Sequence, residues 1–507
     1  MTLSQRWGSI EHLWRGDRLA WLLCLAFGGY AASALSSLDY NFDEGVYIQQ
    51  ARLILGGHLP YTDFFYHQTP LYPFTLWAAG AIAPESLFAY RLPSLIATAL
   101  CGFLVYRIGL QLMPKGAALV AVLLFYCAPL QYFGLVALPN AIMTCLATAS
   151  VYLTWFRPAA GGGEARVISV LGGCLIALSI LYKPLSVPAA VALAIGLLTA
   201  RELRPRFAWF VLGGASVGLG AWGLLHWSSE GLFTRLLGLQ FSRYAGRSGF
   251  DVMSGFEPFR TVLGQMDIDS AMAWNVAEHS RTFLVPDPHA NLHIAALAIA
   301  GQLLLVSPWG RRWSRQRVFL TLWWGLPLAF SLAIWEPSWD HYFIQYLPPF
   351  GILGAMFLLR VWSLAKGRVV ARIAVVAIVA LAAGLWPGHL EARRVDYERL
   401  PKPAAAGESW LLFDPFLNFV TKTRPACGII DPFNVYGERS LLATAEAPIW
   451  SRQRVSVDQL IVCLADDPEI MIGLGSKWGA WFEDGRLAAY LAGLPKERFV
   501  ELRPRLQ

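Results

Sequence analysis

Charge is scarce in this sequence. Only 15% of its 507 residues are Asp, Glu, Lys or Arg, while 56% are hydrophobic. A soluble globular chain carries about 25% charged residues, so the shortage sets this one apart from soluble enzymes and toward the membrane class. The seven cysteines show no metal-ligand spacing, which removes the structural zinc modules. Five of them (Cys24, Cys101, Cys127, Cys145, Cys174) sit in apolar runs as packing residues. The formal charge of +7 does not signal a nucleic-acid partner, because the Lys and Arg residues fall in short clusters between apolar runs. No small-residue cleavage site follows the first apolar run, which therefore reads as a retained span.

What the chain has in quantity is long apolar runs. A hydrocarbon core needs roughly 20 apolar residues as helix. Candidates lie near 19–38, 88–106, 117–134, 136–156, 167–182, 184–200, 207–227, 291–309, 318–335, 341–359 and 369–387, eleven in all. Arg15 and Arg18 precede the first run, and the short loops at 113–116, 157–166, 201–206, 311–317 and 366–368 carry further basic residues. All fall on the side of the N-terminus, which the positive-inside rule assigns to the cytoplasm. Residues 39–87, 228–290 and the tail from about 388 are then expected outside. Within the first outer loop, "PLYPFTLWAAGAIAP" (70–84) is short and broken by prolines, and reads as an interfacial or re-entrant segment.

The tail is ordinary in polarity. "SWLLFD" (409–414) and "DQLIVCLA" (458–465) read as short strands, and 468–494 as helix and turn. The expected organisation is a transmembrane module over 1–390 and a small α/β domain over 391–507. Cys427 and Cys463 both lie in this tail, and the residues leave a disulfide and two free thiols as equal alternatives.

The outer face gathers the titratable groups. "NFDEGVYIQQARLILGGHLPYTDFFYHQTPLYP" (41–73) carries Asp43, Glu44, His58, Asp63 and His67 just past the first span. Arg91 opens the second span, Lys183 interrupts two apolar runs in "LSILYKPLSVPAA", and "IWEPSWDHYFIQYLPP" brings Glu336, Asp340, His341 and Tyr342. Ionisable groups retained at membrane depth are costly and usually functional. Each also has an ordinary reading: Asp43 as a helix cap, Lys183 and Arg91 as snorkelling residues, His341 and Tyr342 as an aromatic belt. His58 and His67 read as loop residues, without a metal-ligand pattern around them.

The acidic pair in "FDEGVYIQQARLILGGHLPYTDFFYHQTPLYPFTLW" resembles the first outer loop of the C-type (GT-C fold) integral-membrane glycosyltransferases. Within these it is most similar to the branch of protein O-mannosyltransferases and the lipid A aminoarabinose transferase. "YRLPSLIATALCGFLVYRIG" (90–109), "ALSILYKPLSVPAAVA" (177–192) and "WDHYFIQYLPPFGILGA" (339–355) fit the same pattern, and the resemblance runs from about 19 to 390 and weakly beyond. It implies a polytopic α-helical membrane protein of the plasma (bacterial inner) membrane. The implied activity is inverting transfer of a sugar from a polyprenyl-phosphate donor to a lipid, glycan or protein hydroxyl at a periplasmic site. Asp43 is the implied base, and Glu44 positions the acceptor or holds a neighbouring cation. Arg91, Lys183, His341 and Tyr342 are assigned to the donor phosphate, and His67 and Gln68 to the sugar. No cofactor is required; a divalent cation is allowed by the resemblance, though no ligand set demands it. Where many relatives carry a second acid, this chain reads "LVALPNAIM", with Asn140. Loop 228–290, with Arg243, Arg247, Arg260 and Arg281, reads either as an acceptor groove or as a solvated lid. A secondary transporter is the competing class, but the chain shows no internal repeat and its charges sit at one membrane face. A non-catalytic accessory subunit leaves the acid and cation constellation unexplained.

Overall fold

The structure, a computed structural model, describes residues 17–60, 63–64, 66, 68–159, 161–228, 291–306, 314–333, 340–365, 369–395, 397, 400, 409–411, 415–428, 435–436, 455–474 and 485–501. His67, Glu336 and the loop with Arg243, Arg247, Arg260 and Arg281 lie outside the described residues.

Among the described residues, each of the eleven apolar runs contains a helix. In chain order the helices are α1 (Arg18–Ala34), α2 (Phe42–Leu55), α3 (Leu71–Ile82), α4 (Leu87–Gly109), α5 (Lys115–Tyr126), α6 (Pro139–Val151) and α7 (Gly162–Tyr182). They continue as α8 (Val187–Thr199), α9 (Arg204–Ser228), α10 (Leu292–Val306), α11 (Ser314–Ala333), α12 (Leu347–Leu364) and α13 (Val369–Glu391). Among the described residues, four segments are long and apolar enough to cross a membrane: Leu87–Gly109, Gly162–Tyr182, Arg204–Leu225 and Asp340–Leu364.

Prolines and polar breaks shorten several of the others. The run expected over 117–134 is α5 followed, after Ala128, by a 3₁₀ segment at Pro129–Gly134, because proline disfavours helix in the residue before it. Another 3₁₀ turn, Pro184–Ser186, joins α7 to α8 after Lys183 leaves the helix in extended conformation. The segment expected to be interfacial or re-entrant contains α3, whose 12 residues span about 18 Å at 1.5 Å each, short of the roughly 30 Å of a hydrocarbon core.

Small residues let the long helices meet. A Cβ at Gly173 of α7 would overlap the Phe210 carbonyl of α9, and one at Gly213 would overlap the Val170 carbonyl. Glycine at both positions permits the close backbone approach that packs helices where lipid supplies no hydrophobic drive. On α9, Val211, Leu212, Leu219 and Leu224 point outward and exposed, as suits an apolar solvent.

The tail contains parallel strands and helices. β1 (Ser409–Leu411), β2 (Arg424–Pro425), β5 (Met471–Leu474) and β6 (Phe499–Glu501) form one sheet in the order β2-β1-β5-β6, and β3 (Val435–Tyr436) pairs with β4 (Val455–Ser456). Helices α14 (Pro415–Thr421) and α16 (Gly485–Ala492) lie between successive parallel strands, the connection that parallel pairing requires. The register sets Trp410 beside Pro425 and Met471, and Ile472 beside Phe499.

Two expectations are corrected here. "DQLIVCLA" is not a strand but part of α15 (Val457–Asp466). Its buried Leu460 and Leu464 recur at helical spacing while Val462 faces out, so the β-branched residues misled the local reading. Conversely, Met471–Leu474, expected as helix and turn, is strand β5, paired on both sides. Leu460, Leu464, Ile470, Ile472, Leu487 and Leu491 form the core of this unit, and Cys427 and Cys463 are joined as a disulfide beside it.

The tail is tied to the loop after α1. Leu38 and Arg394 form an antiparallel bridge, and the Tyr397 hydroxyl donates to the Leu38 carbonyl at 2.8 Å. Helix α14 packs on α2, with Phe419 edge-on to Tyr90 and beneath the Arg52 guanidinium.

Candidate active site

Helix α2 is the element that positions the acidic pair. Its cap is Asn41, whose side-chain oxygen accepts from the Asp43 backbone N–H at 3.0 Å. The capping task assigned to Asp43 by the ordinary reading is therefore performed two residues earlier. Both acids sit in the first turn, where the helix dipole favours negative charge.

From there the two acids diverge. The Glu44 side chain is wholly buried, and its Oε1 accepts from Arg91 Nε at 2.7 Å and from the Ala137 N–H at 2.6 Å. Its Oε2 accepts from Arg91 Nη2 at 2.7 Å. Arg91 is equally buried, and its Nη1 donates to the carbonyls of Leu35 (2.7 Å) and Leu38 (2.9 Å). Nη2 donates again to the Asp39 carbonyl at 3.2 Å. A guanidinium carries five N–H donors, and all of Arg91's point at these partners. In this structure Arg91 is a buried cation that fixes residues 35–39 and Glu44, with these N–H groups turned toward them and away from the cluster around Asp43. Of the two roles expected for Glu44, holding a neighbouring cation is the one its hydrogen bonds to Arg91 match.

Asp43 keeps its side chain 32% exposed, and its Oδ2 lies 3.6 Å from His341 Nε2. His341 and Tyr342 belong to the 3₁₀ segment Asp340–Tyr346 that leads into α12, and both are buried. The His341 carbonyl accepts from Asn140 Nδ2 at 2.8 Å, and Asn140 Oδ1 accepts from Lys183 Nζ at 3.4 Å. That ammonium lies 4.2 Å from the centroid of the Tyr342 ring, a cation–π contact. Asp43, His341, Asn140, Lys183 and Tyr342 therefore form one continuous cluster, drawn from four separate parts of the chain.

Gln68 belongs to a neighbouring wall of tyrosines. Its Oε1 accepts from the Tyr47 hydroxyl at 2.6 Å, and Tyr47 meets Tyr72 edge to face. Burial, with Tyr66 and Asp43 nearby, pushes the Tyr47 phenol well above its ordinary pKa, so it remains a donor. The sequence reading missed Tyr47 and passed over Asn140 as a site residue. Tyr47 was within reach of inference, since it lies four positions after Asp43 and thus on the same helix face. Asn140 stood out only as a neutral residue where an acid was expected, and its partners, remote in sequence, gave it no role.

Comparisons with known proteins place the fold. Residues 67–222 match the family model of the dolichyl-phosphate-mannose-protein mannosyltransferases. No curated protein matches the chain by sequence. Among solved structures, ArnT from Cupriavidus metallidurans bound to undecaprenyl phosphate is 12% identical, with a TM-score of 0.56 over 96% of this chain and 90% of that one. The apo form of the same protein gives a TM-score of 0.59 over 88% and 90%, again at 12% identity. The oligosaccharyltransferase of Archaeoglobus fulgidus in complex with Zn and sulfate gives 0.52 at 13% identity, over 81% of this chain and 62% of that one. The chain is a polytopic membrane protein with the fold of the C-type integral-membrane glycosyltransferases.

Proposed function

We propose that the protein is an inverting glycosyltransferase that moves a sugar from a polyprenyl-phosphate donor to an acceptor hydroxyl on the periplasmic side of the membrane. The observation that carries this reading is the division of labour in the acidic pair. Glu44 is sealed against Arg91, while Asp43 stands partly exposed beside a cluster that holds Lys183.

The chemistry follows from the leaving group. Glycosidases use one carboxylic acid to protonate the departing oxygen and a second carboxylate on the opposite face. A departing phosphate needs no such proton and is stabilised by a cation instead. Asp43 Oδ2 takes the proton of the acceptor hydroxyl as that oxygen attacks the anomeric carbon. The bond from that carbon to the phosphate oxygen breaks, and its electron pair leaves with the polyprenyl phosphate, whose charge Lys183 offsets. Attack opposite the departing bond inverts the anomeric centre. Gln68 and Tyr47 offer a hydrogen-bonding wall for the sugar.

Among the described residues no group of three His, Cys, Asp or Glu side chains could hold a metal ion. Asp43 and His341 supply two donors, and Asn140 offers only a neutral amide.

Two observations support an outer-facing site. The disulfide Cys427–Cys463 belongs to an oxidising compartment, and the tail that carries it is bridged to Leu38, five residues before Asp43. Both then lie on the side that the basic loops assign to the exterior.

The test compares the native protein with Asp43→Asn for transfer, in detergent, from radiolabelled polyprenyl-phosphate sugars to a membrane extract. Removing a general base lowers the rate by about 10²–10⁴. The expected result is native transfer that collapses in the variant while donor binding persists. Transfer that survives in Asp43→Asn overturns the mechanism.

A further inference from the structure

We propose that Asn140 is a positioning residue: it aims Lys183 at the phosphate of a lipid-linked anion, and it can do so only because its side chain is neutral. The inference rests on the reading of Lys183 as the cation that meets the donor phosphate. Asn140 opens α6 and is wholly buried. Its amide bridges two elements far away in the chain, the His341 carbonyl before α12 and the Lys183 ammonium between α7 and α8.

The orientation of the amide is fixed by its partners, since a carbonyl can only accept and an ammonium can only donate. Asn140 and the Tyr342 ring together hold Nζ from two directions. A lysine stem is long and flexible, so such bracing decides where its charge is presented. Aspartate at this position would be acceptor-only. It would set a carboxylate oxygen against the His341 carbonyl and ion-pair with Lys183, drawing the ammonium away from a phosphate. An amide orients the ammonium without cancelling its charge.

The experiment titrates the full-length protein in detergent with undecaprenyl phosphate and with undecaprenol, its uncharged alcohol, for the native chain, Asn140→Asp and Asn140→Ala. Loss of one charge-assisted contact predicts that Asn140→Asp weakens undecaprenyl phosphate by about tenfold or more, with undecaprenol unchanged within about twofold. Asn140→Ala removes the brace without adding charge and lowers the same selectivity by a smaller factor. If Asn140→Asp fails to fold, as its melting profile will show, the selectivity of Asn140→Ala decides. Equal weakening of both lipids reduces Asn140 to a packing element and overturns the inference, as does selectivity unchanged from native. The outcome is separable from the transfer assay. A native protein that transfers no sugar, yet loses phosphate selectivity on substitution at 140, sinks the transferase reading and leaves this one standing.

Discussion

Glu44→Gln is the substitution that most sharply separates structure from chemistry at this site. Glu44 accepts three hydrogen bonds, from Arg91 Nε, Arg91 Nη2 and the Ala137 N–H, at 2.6–2.7 Å. Glutamine has the same shape but one acceptor oxygen. With that oxygen at the Oε1 position, its NH₂ faces the N–H of Arg91 Nη2, and one contact becomes a meeting of two donors. The guanidinium is left as a buried cation without its counter-charge. Breaking a buried pair by removing one partner costs about 3–5 kcal/mol. The neighbouring carbonyls of Leu35, Leu38 and Asp39 still surround Arg91, which argues for the lower end.

The assay is thermal unfolding in detergent at a fixed scan rate, because unfolding of such a protein is governed by rate. With about 2.1 cal/mol/K of unfolding entropy per residue over 507 residues, a loss of this size lowers the apparent melting temperature by roughly 3–5 °C. Asp43→Asn, by contrast, is expected to melt within about one degree of native, since Asp43 is partly exposed and Asn41 performs the capping. Whatever Glu44→Gln remains folded should still transfer sugar. A Glu44→Gln protein that melts with the native chain yet has lost transfer would refute the assignment and put Glu44 into the chemistry.

Lys183→Gln should raise the KM for the polyprenyl-phosphate donor by about tenfold or more, the value of a charge-assisted contact; an unchanged donor KM removes Lys183 from the phosphate site. Reduction of Cys427–Cys463, which closes a loop across 36 positions, should cost the tail unit up to about 4 kcal/mol by loop entropy. Hydrogen exchange should then quicken in α15 and β5 while α4 stays protected, and equal protection in both redox states counts against the role. Burial pushes the phenols of Tyr47, Tyr66 and Tyr397 upward. Their folded pKa values are raised, so their contribution to stability is fully present below the ordinary value of about 10 and is lost as pH climbs through the raised values. Unfolding monitored against pH should show that loss on the alkaline side, and a flat profile there would contradict the burial of these rings.

The helices of this protein were legible because periodicity and apolar length are local properties. Each apolar run could be read from its own residues, and so could the prolines that break the short segment at 70–84. The "FDEGVY" stretch also carried enough pattern to suggest the fold class. The tail was less legible. "DQLIVCLA" contains a β-rich Leu-Ile-Val run and is a helix, whereas Met471–Leu474 is a strand because β1 and β6 flank it. Strand pairing is a property of neighbours, which a local window does not contain.

The sequence by itself determined that the chain is a membrane protein and which short list of ionisable residues could serve it. Only the tertiary structure decided their roles. Arg91 and Glu44 lie 47 positions apart, and Asn140 and His341 lie 201 apart. Nothing local distinguishes Asp43 from Glu44, adjacent acids on one helix turn. A rotation of roughly 100° per residue sends Glu44 into the bundle to meet Arg91 and leaves Asp43 at the rim beside His341. Which acid is sealed and which can reach a substrate follows from what packs against that turn.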